Sequence, residues 1–194
     1  LLVVDLAGAA GNVVIVGGPQ AGKSTLLRTL VVSTALTHTA EQVQFYCLDF
    51  GGGALAGLAA LPHVGSVATR LDADRVRRTV AELVSLLRSR ERLFAEQGIE
   101  SMAEFRRRRA GGAPDTSTDP FGDVFLVIDG WPSIRQDFEA LEQVVSVLAS
   151  QGLSYGIHVV LSAPRWGDVR PAMRDQFGTR LELRLGAPSD SAYG

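Results

Sequence analysis

Apolar residues in this chain follow two alternating patterns: short continuous runs, and longer stripes spaced three or four residues apart. Runs rich in valine and isoleucine are typical of buried strands, whereas stripes of that spacing are typical of helices packed on one side. The runs predict strands at 1–6, 13–16, 43–49, 64–68, 123–129 and 156–163, and a half-exposed strand at 179–185. The stripes predict helices near 23–35, 55–61, 72–97, 101–109, 135–151 and 169–176. This alternation predicts a mainly parallel sheet between two helix layers, a three-layer α/β/α sandwich.

The strand at 13–16 leads into a glycine-rich loop that is followed directly by a helical stripe. The loop has the form Gly-x-x-x-x-Gly-Lys-Ser and consists of Gly17, Gly18, Pro19, Gln20, Ala21, Gly22, Lys23, Ser24 and Thr25. In this context it predicts an ATP-binding phosphate loop, with Lys23 reaching the β- and γ-phosphates and the Ser24 hydroxyl on Mg²⁺. A glycine-rich turn that contains Lys-Ser by chance is the alternative, and the flanking strand and helix argue against it. The fold class is therefore a RecA-like P-loop NTPase core.

Two carboxylates stand at the ends of apolar strands. Asp129 ends the strand at 123–129, which is the Walker B pattern, and we expect it to orient Mg²⁺ through a water molecule. Asp49 ends the strand at 43–49 and is followed by Phe50 and three glycines. Either it contacts a ligand at the carboxyl end of the sheet, or it caps the next helix, and the sequence leaves both interpretations open.

Composition narrows the class of protein. With 194 residues, 46% of them hydrophobic and 21% charged, the chain is globular, and its formal net charge of −2 gives no general attraction to DNA. Cys47 is the single cysteine and lies in an apolar run, so we expect a buried thiol. No apolar segment is long enough to span a membrane, which predicts a soluble protein. Because the sequence starts within a strand and without methionine, we expect residues 1–194 to be one domain excised from a longer chain.

Arginines occur in two helices. In the helix at 72–97 they are interpreted as lying outside the apolar stripe, Arg90 among them. The run 106–109 is four consecutive arginines, which is compatible with a nucleic-acid or membrane surface or with a solvated helix end. No aromatic residues interleave with this run, and we favour the helix end. His158, at the start of a buried strand, is interpreted as structural.

Several segments together resemble a known family. They are 16–25, Leu48–Gly53, Val127–Trp131, Val160–Arg165 and Thr179–Arg180. In combination they resemble an FtsK/SpoIIIE-type ATPase domain, and within that family the second or third ATPase module of the EccC motors of type VII (ESX) secretion systems. The resemblance covers nearly the whole chain.

Two positions depart from the active members of that family. Their Walker B aspartate is followed by a glutamate that polarises the attacking water, and this chain has Gly130 there. Their sensor glutamine corresponds here to Pro164, which has no side-chain donor. A positioned carboxylate contributes about 10²–10⁴-fold to a rate. The sequence thus predicts a domain that binds Mg·ATP and hydrolyses it weakly or not at all.

The resemblance also implies partners and further site residues. The partners are neighbouring ATPase modules of the same chain, secreted helical-hairpin substrates of the Trp-Xaa-Gly type, and the membrane-embedded secretion complex. It implies a cytoplasmic location, peripheral to the inner membrane, and a role in substrate recognition and regulation of export. Candidate sensor or interface residues are Asp49, Ser162, Arg165 and Arg180. Trp131 and Trp166, just beyond strand ends, are candidates for the rim of a docking groove, for a contact between modules, or for core packing.

Two other functions compete with this hypothesis. An active DNA-translocating ATPase is the alternative within the same family, and Gly130, Pro164 and the negative net charge all count against it. A small-molecule kinase on the same core would leave the Asp-Gly-Trp and Ala-Pro-Arg segments unexplained.

Overall fold

The structure, a computed structural model, describes residues 4–111, 119 and 122–193. Its strands are β1 Val13–Val16, β2 Val43–Asp49, β3 Val64–Thr69, β4 Asp123–Asp129, β5 Ile157–Ala163 and β6 Thr179–Glu182. Its α-helices are α1 Lys23–Ala35, α2 Ala73–Gln97, α3 Met102–Ala110, α4 Pro132–Asp137, α5 Glu139–Gln151 and α6 Pro171–Arg174. The segment predicted as a helix near 55–61 forms a 3₁₀-helix, Ala56–Ala60.

The described strands form one parallel sheet in the order β3-β2-β4-β5-β1-β6. Strand β1 lies between β5 and β6, with Val16 opposite Ala163 on one side and Glu182 on the other. The predicted α/β/α sandwich is confirmed. Because all strands are parallel, their carboxyl ends meet at one edge of the sheet, where the phosphate loop begins.

Each face of the sheet carries its own apolar core, and the two-residue period of the strands decides which side chain joins which core. In β1, Val14 and Val16 join the core beneath α2 and α5, whereas Val13 and Ile15 join the core beneath α1. Cys47 is fully buried in the α1-side core, and burial, followed by the charge of Asp49, raises the pKa of its thiol to about 12. The prediction of a buried cysteine is confirmed.

The edges of the sheet differ from the sequence prediction. Of the strand expected at 1–6, residues 1–3 lie outside the described part of the chain, and residues 4–6 are not in a strand. Instead β6, from the other end of the chain, pairs with β1 and takes that edge. Parallel pairing joins distant segments, so local pattern does not reveal which apolar run occupies an edge. The predicted strand at 179–185 ends at Glu182.

Helix boundaries also shift. The helix predicted at 135–151 is two helices, α4 and α5, because Phe138 leaves the helical region with φ −140° and ψ 46°. In this position the Phe138 ring stacks on Phe50 at a centroid distance of 5.7 Å. The helix predicted at 169–176 is shorter and corresponds to α6. Within the described residues, no helix is both long and apolar enough to cross a membrane.

Arg90 is fully buried, and its assignment outside the apolar stripe of α2 is wrong. It follows Leu87 by three positions and precedes Phe94 by four, so it lies on the buried face. Its guanidinium pairs with the carboxylate of Asp119 through two N–H groups. It also donates to the carbonyl oxygens of Tyr155, at 2.7 Å, and Gly122, at 2.8 Å. Arg90 therefore fastens the segment before β4 to α2.

His158 has the structural role predicted for it. The ring is buried and stacks on Phe125, with its Nδ1 3.1 Å from the carbonyl oxygen of Gly11 and its Nε2 3.0 Å from Asp123 Oδ1. Arg106, the first arginine of the 106–109 run, donates two hydrogen bonds to the same Asp123 carboxylate, one to each oxygen. Arg108 pairs with Glu104 within α3. At least two of the four arginines thus serve intramolecular ion pairs.

We predict that Asp123→Asn lowers the free energy of unfolding at neutral pH and that this loss disappears in acid. Burial alone raises the pKa of the Asp123 carboxyl, but the hydrogen bonds from His158 and Arg106 outweigh it and hold the pKa below its ordinary value. Asp123 therefore contributes stability above its unfolded-state pKa of about 3.9, and the contribution is lost as the pH falls through the lower folded-state pKa. Urea unfolding of both proteins from pH 7 to pH 3 measures it. A difference that does not shrink in acid contradicts the prediction.

Candidate functional site

The phosphate loop joins β1 to α1 at the carboxyl edge of the sheet. Gly22, which precedes the first helical residue, has φ +98°, a conformation that glycine adopts without strain. The amides of Gly22, Lys23, Ser24 and Thr25 donate to no acceptor within the described part of the chain. These N–H groups at a helix start form a concave, partly positive surface that suits a phosphate group.

The Lys23 side chain folds back onto the start of the phosphate loop. Its Nζ donates to the carbonyl oxygens of Gly17, at 2.7 Å, and Gly18, at 2.8 Å. Burial lowers the pKa of the Lys23 ammonium, and the negative charge of Asp129 partly offsets this effect. The ammonium is thus held by neutral carbonyl groups near a carboxylate, and phosphate oxygens would be stronger acceptors for it.

Asp129, at the end of β4, has one oxygen held and one without a partner. Its Oδ1 accepts from the Ser162 hydroxyl at 2.6 Å, and that hydroxyl in turn accepts from the Gly130 amide at 2.9 Å. Its Oδ2 is buried and has no hydrogen-bond partner among the described residues. A buried carboxylate oxygen without a partner is costly, and it suits a hydrated cation. Gly51 lies directly against this oxygen, because a Cβ there would collide with it.

Of the two interpretations of Asp49, the hydrogen bonds of its carboxylate favour the structural one. Asp49 lies opposite Asp129 in the β2–β4 ladder, but its carboxylate accepts from the amides of Gly51, Gly53 and Leu55. Both oxygens are thereby used to shape the loop after β2. The candidate sensor role of Asp49 stays a prediction, and these contacts give it no direct support.

Gly130 occupies the position that a catalytic glutamate would need. Its φ is +93°, and a Cβ at this residue would lie 3.3 Å from Phe50 Cβ. The backbone is fixed further because Phe50 donates its amide to the Asp129 carbonyl at 2.9 Å. A side chain at this position is therefore opposed by both the backbone conformation and the neighbouring loop.

The remaining predicted residues make contacts within the protein that do not involve Lys23 or the Asp129 carboxylate. Arg165 is exposed and pairs with Asp168, and Arg180 in β6 donates to the carbonyl oxygens of Arg174 and Phe177. The candidate sensor or interface roles of these two arginines stay predictions. Trp131 is fully buried and Trp166 nearly so, which favours core packing over a docking rim for both tryptophans.

A family model of the FtsK/SpoIIIE family matches residues 1–194. The chain belongs to the FtsK/SpoIIIE family. Among its relatives, EccC of the ESX secretion system of Thermomonospora curvata is 63% identical over 188 residues, covering 97% of this chain and 14% of the relative. EccC4 of the ESX-4 secretion system of Mycobacterium tuberculosis is 57% identical over 190 residues, covering 98% of this chain and 15% of the relative. The chain thus spans a small part of either relative.

Solved structures agree with this assignment. Thermomonospora curvata EccC (ATPases 2 and 3), in complex with a signal sequence peptide, superposes with a TM-score of 0.93 at 64% identity. That match covers 96% of this FtsK/SpoIIIE domain and 33% of the solved chain. The cytoplasmic domain of EssC, at 22% identity and a TM-score of 0.83, shares the fold.

Sequence reasoning missed two parts of the site of this FtsK/SpoIIIE domain. One is the contact of Gly51 with Asp129, although the three glycines after Asp49 were a signal for it. The other is the chain after β6, where Arg184 accepts a hydrogen bond from Gly18 through its carbonyl oxygen. No local signal in the sequence indicates the second contact.

Proposed function

We propose that this domain is a nucleotide-binding module of an ESX secretion motor, and that it binds Mg·ATP while hydrolysing it weakly or not at all. The proposal is supported by one combination of features. The phosphate loop is complete, whereas position 130 is a glycine with little space for a side chain. Binding needs Lys23 and the amides at the start of α1, and the absence of described acceptors for the amides of residues 22–25 supports this role. Hydrolysis needs an oriented water, and the residue after the Walker B aspartate has no side chain to hold one.

Magnesium fits the same arrangement. Ser24 is the second residue of α1, and Asp129 has a buried oxygen without a described partner. We infer that these two residues would hold the hydrated ion, which would supply positive charge to neutralise the phosphates. Ser162 fixes the Asp129 carboxylate, so that one oxygen is kept for this purpose. Among all the residues that the structure describes, no three or more His, Cys, Asp or Glu side chains form a group that could hold a metal ion. The magnesium site proposed here therefore depends on phosphate and water oxygens as further ligands.

A site that binds without rapid turnover can still regulate. A ligand shifts the equilibrium between two arrangements of a protein by its differential affinity for them. The similar EccC proteins belong to ESX secretion systems, and one of their solved structures contains a signal sequence peptide. We infer that nucleotide on this domain biases its packing against neighbouring modules and so contributes to substrate recognition. We infer from the same similarity that the domain acts in the cytoplasm, peripheral to the inner membrane through its parent protein.

We predict that Lys23→Ala weakens Mg·ATP binding by about 10- to 100-fold, since hydrogen bonds to a charged group contribute about 1.5–3 kcal/mol. Calorimetric titration measures the affinity, and phosphate release is followed on the same samples. Arg28→Ala is the matched control, because Arg28 is an exposed cation farther along α1, and its affinity should stay within about twofold of wild type.

The two measured quantities, Mg·ATP affinity and phosphate release, separate binding from catalysis. Tight binding that needs Lys23, with phosphate release equal in wild type and Lys23→Ala, supports the proposal. Steady Lys23-dependent turnover near the ordinary enzyme range of about 1 s⁻¹ or faster contradicts it and favours the active motor. Equal affinity of wild type and Lys23→Ala for Mg·ATP contradicts the binding role.

A further inference from the structure

The chain that leaves β6 runs along the flank of the phosphate loop. Leu183 donates its amide to the carbonyl oxygen of Val16 at 2.7 Å, and Gly18 donates its amide to the carbonyl oxygen of Arg184 at 2.8 Å. A Cβ on Gly17 would lie 2.9 Å from Leu183 Cβ, so the two segments touch. Residues 183–190, which we call the flanking segment, therefore form a wall of the candidate nucleotide site.

The flanking segment is fixed at both ends. Glu182, just before it, accepts hydrogen bonds from Trp166 Nε1 at 2.6 Å, Ser191 Oγ at 2.7 Å and the Ala192 amide at 3.1 Å. One carboxylate thus ties the start of the segment to its end and to the core through Trp166. The wall beside the loop is held in place before any ligand arrives.

The order of the strands indicates which part of a bound nucleotide would contact the flanking segment. Asp129 ends β4, which lies beyond β5 on one side of β1, whereas the flanking segment follows β6 on the other side. The metal and the terminal phosphates belong on the Asp129 side. An elongated ligand anchored there by its phosphates has its sugar and base at the other end, toward β6.

The chemistry of the wall also differs from that of the phosphate cradle. The Gly18 amide is already occupied by the Arg184 carbonyl, so this flank offers no backbone donor at that point to a phosphate oxygen. The Arg184 side chain is exposed, and its guanidinium makes no hydrogen bond or ion pair with any residue that the structure describes. The backbone of Arg184 lies beside the loop, and a planar, solvated guanidinium on this segment is suited to stacking on the flat face of a base.

We propose that the flanking segment recognises the nucleoside part of the bound nucleotide and that Arg184 packs its guanidinium on the base. Arg184 then distinguishes a nucleoside triphosphate from a bare triphosphate, while Lys23 and the loop amides hold the phosphates of both. This inference rests on the proposed nucleotide-binding function.

The test compares two ligands, Mg·ATP and Mg·tripolyphosphate, on the intact domain by calorimetry. Arg184→Ala should weaken Mg·ATP binding by about fivefold, the size of one cation–π contact, and leave tripolyphosphate binding within about twofold. Arg184→Lys keeps the charge but loses the planar group, so it should also lose most of the preference for Mg·ATP. Arg88→Ala, at an exposed position of α2, is the matched control and should change neither affinity.

Three outcomes overturn the inference. Equal weakening of both ligands by Arg184→Ala makes Arg184 a phosphate contact, and no weakening of either leaves it without a role. Equal affinity of the wild type for the two ligands excludes nucleoside recognition. The proposed function fails separately, when Lys23→Ala has no effect on either ligand.

Discussion

Replacing Arg90 with methionine is expected to lower the free energy of unfolding by about 3–5 kcal/mol, the cost of removing one partner of a buried ion pair. The substitution leaves the Asp119 carboxylate, whose side chain is 8% exposed, without its guanidinium partner. It also removes the donors to the Tyr155 and Gly122 carbonyl oxygens. Methionine fills a similar space, so the loss reports charge and hydrogen bonding more than volume.

Urea unfolding followed by circular dichroism measures this loss. Arg92→Met is the matched control, because Arg92 lies in the same helix but is exposed, and its change should stay within about 0.5 kcal/mol. The double variant Arg90→Met, Asp119→Leu should recover part of the loss, since it leaves no buried charge unpaired. A single variant as stable as the control would show that the pair is not buried in solution.

Introducing glutamate at Gly130 is expected to destabilise the domain and leave its hydrolysis rate unchanged. A residue with a side chain pays about 1–2 kcal/mol for the left-handed backbone region, and overpacking against Phe50 adds about 1–3 kcal/mol. The φ of +93° and the 3.3 Å approach to Phe50 Cβ are the observations behind this expectation. We therefore expect that one substitution does not restore the glutamate of the active family members, because the loop after β2 leaves little space for a side chain at residue 130.

Unfolding and phosphate release are measured together for this variant. Gly130→Ala separates the cost of the backbone conformation and of the Cβ from the effect of the carboxylate. Gly57→Glu is the control, since a Cβ at Gly57 meets nothing within 4 Å and Gly57 does not have a positive φ. A Gly130→Glu protein that is as stable as wild type and turns over ATP in a Lys23-dependent way would refute this account. That result would mean that the loop after β2 yields easily.

Both predictions concern contacts between segments that are far apart in sequence. Arg90 joins a helix to the chain before β4, and Gly130 is constrained by the loop after β2. Gly51 belongs to the same group, because it lies against the Oδ2 atom of Asp129. The loop after β2 therefore joins the carboxylate of Asp129, our proposed magnesium ligand, to the Phe50–Phe138 contact at the start of α5.

The sequence by itself determined the class of fold and the residues of the proposed phosphate loop. Continuous valine-rich runs such as 13–16 identify strands buried on both faces, and a local motif of nine residues, 17–25, predicts nearly all of the proposed phosphate cradle. The sequence also shows that the residue after the Walker B aspartate is Gly130, because this position is identified by its neighbour Asp129 alone. These features are local, so covalent order is enough to predict them.

Only the tertiary structure decided the contacts that join distant segments. The burial of Arg90 was readable from its spacing to Leu87 and Phe94, but its partner Asp119 was not, because the two are 29 residues apart. The pairing of β6 with β1, and the position of Arg184 beside Gly18, follow from non-local strand pairing. Such pairing depends on competition between apolar segments for one edge of the sheet, and local periodicity carries no information on its outcome.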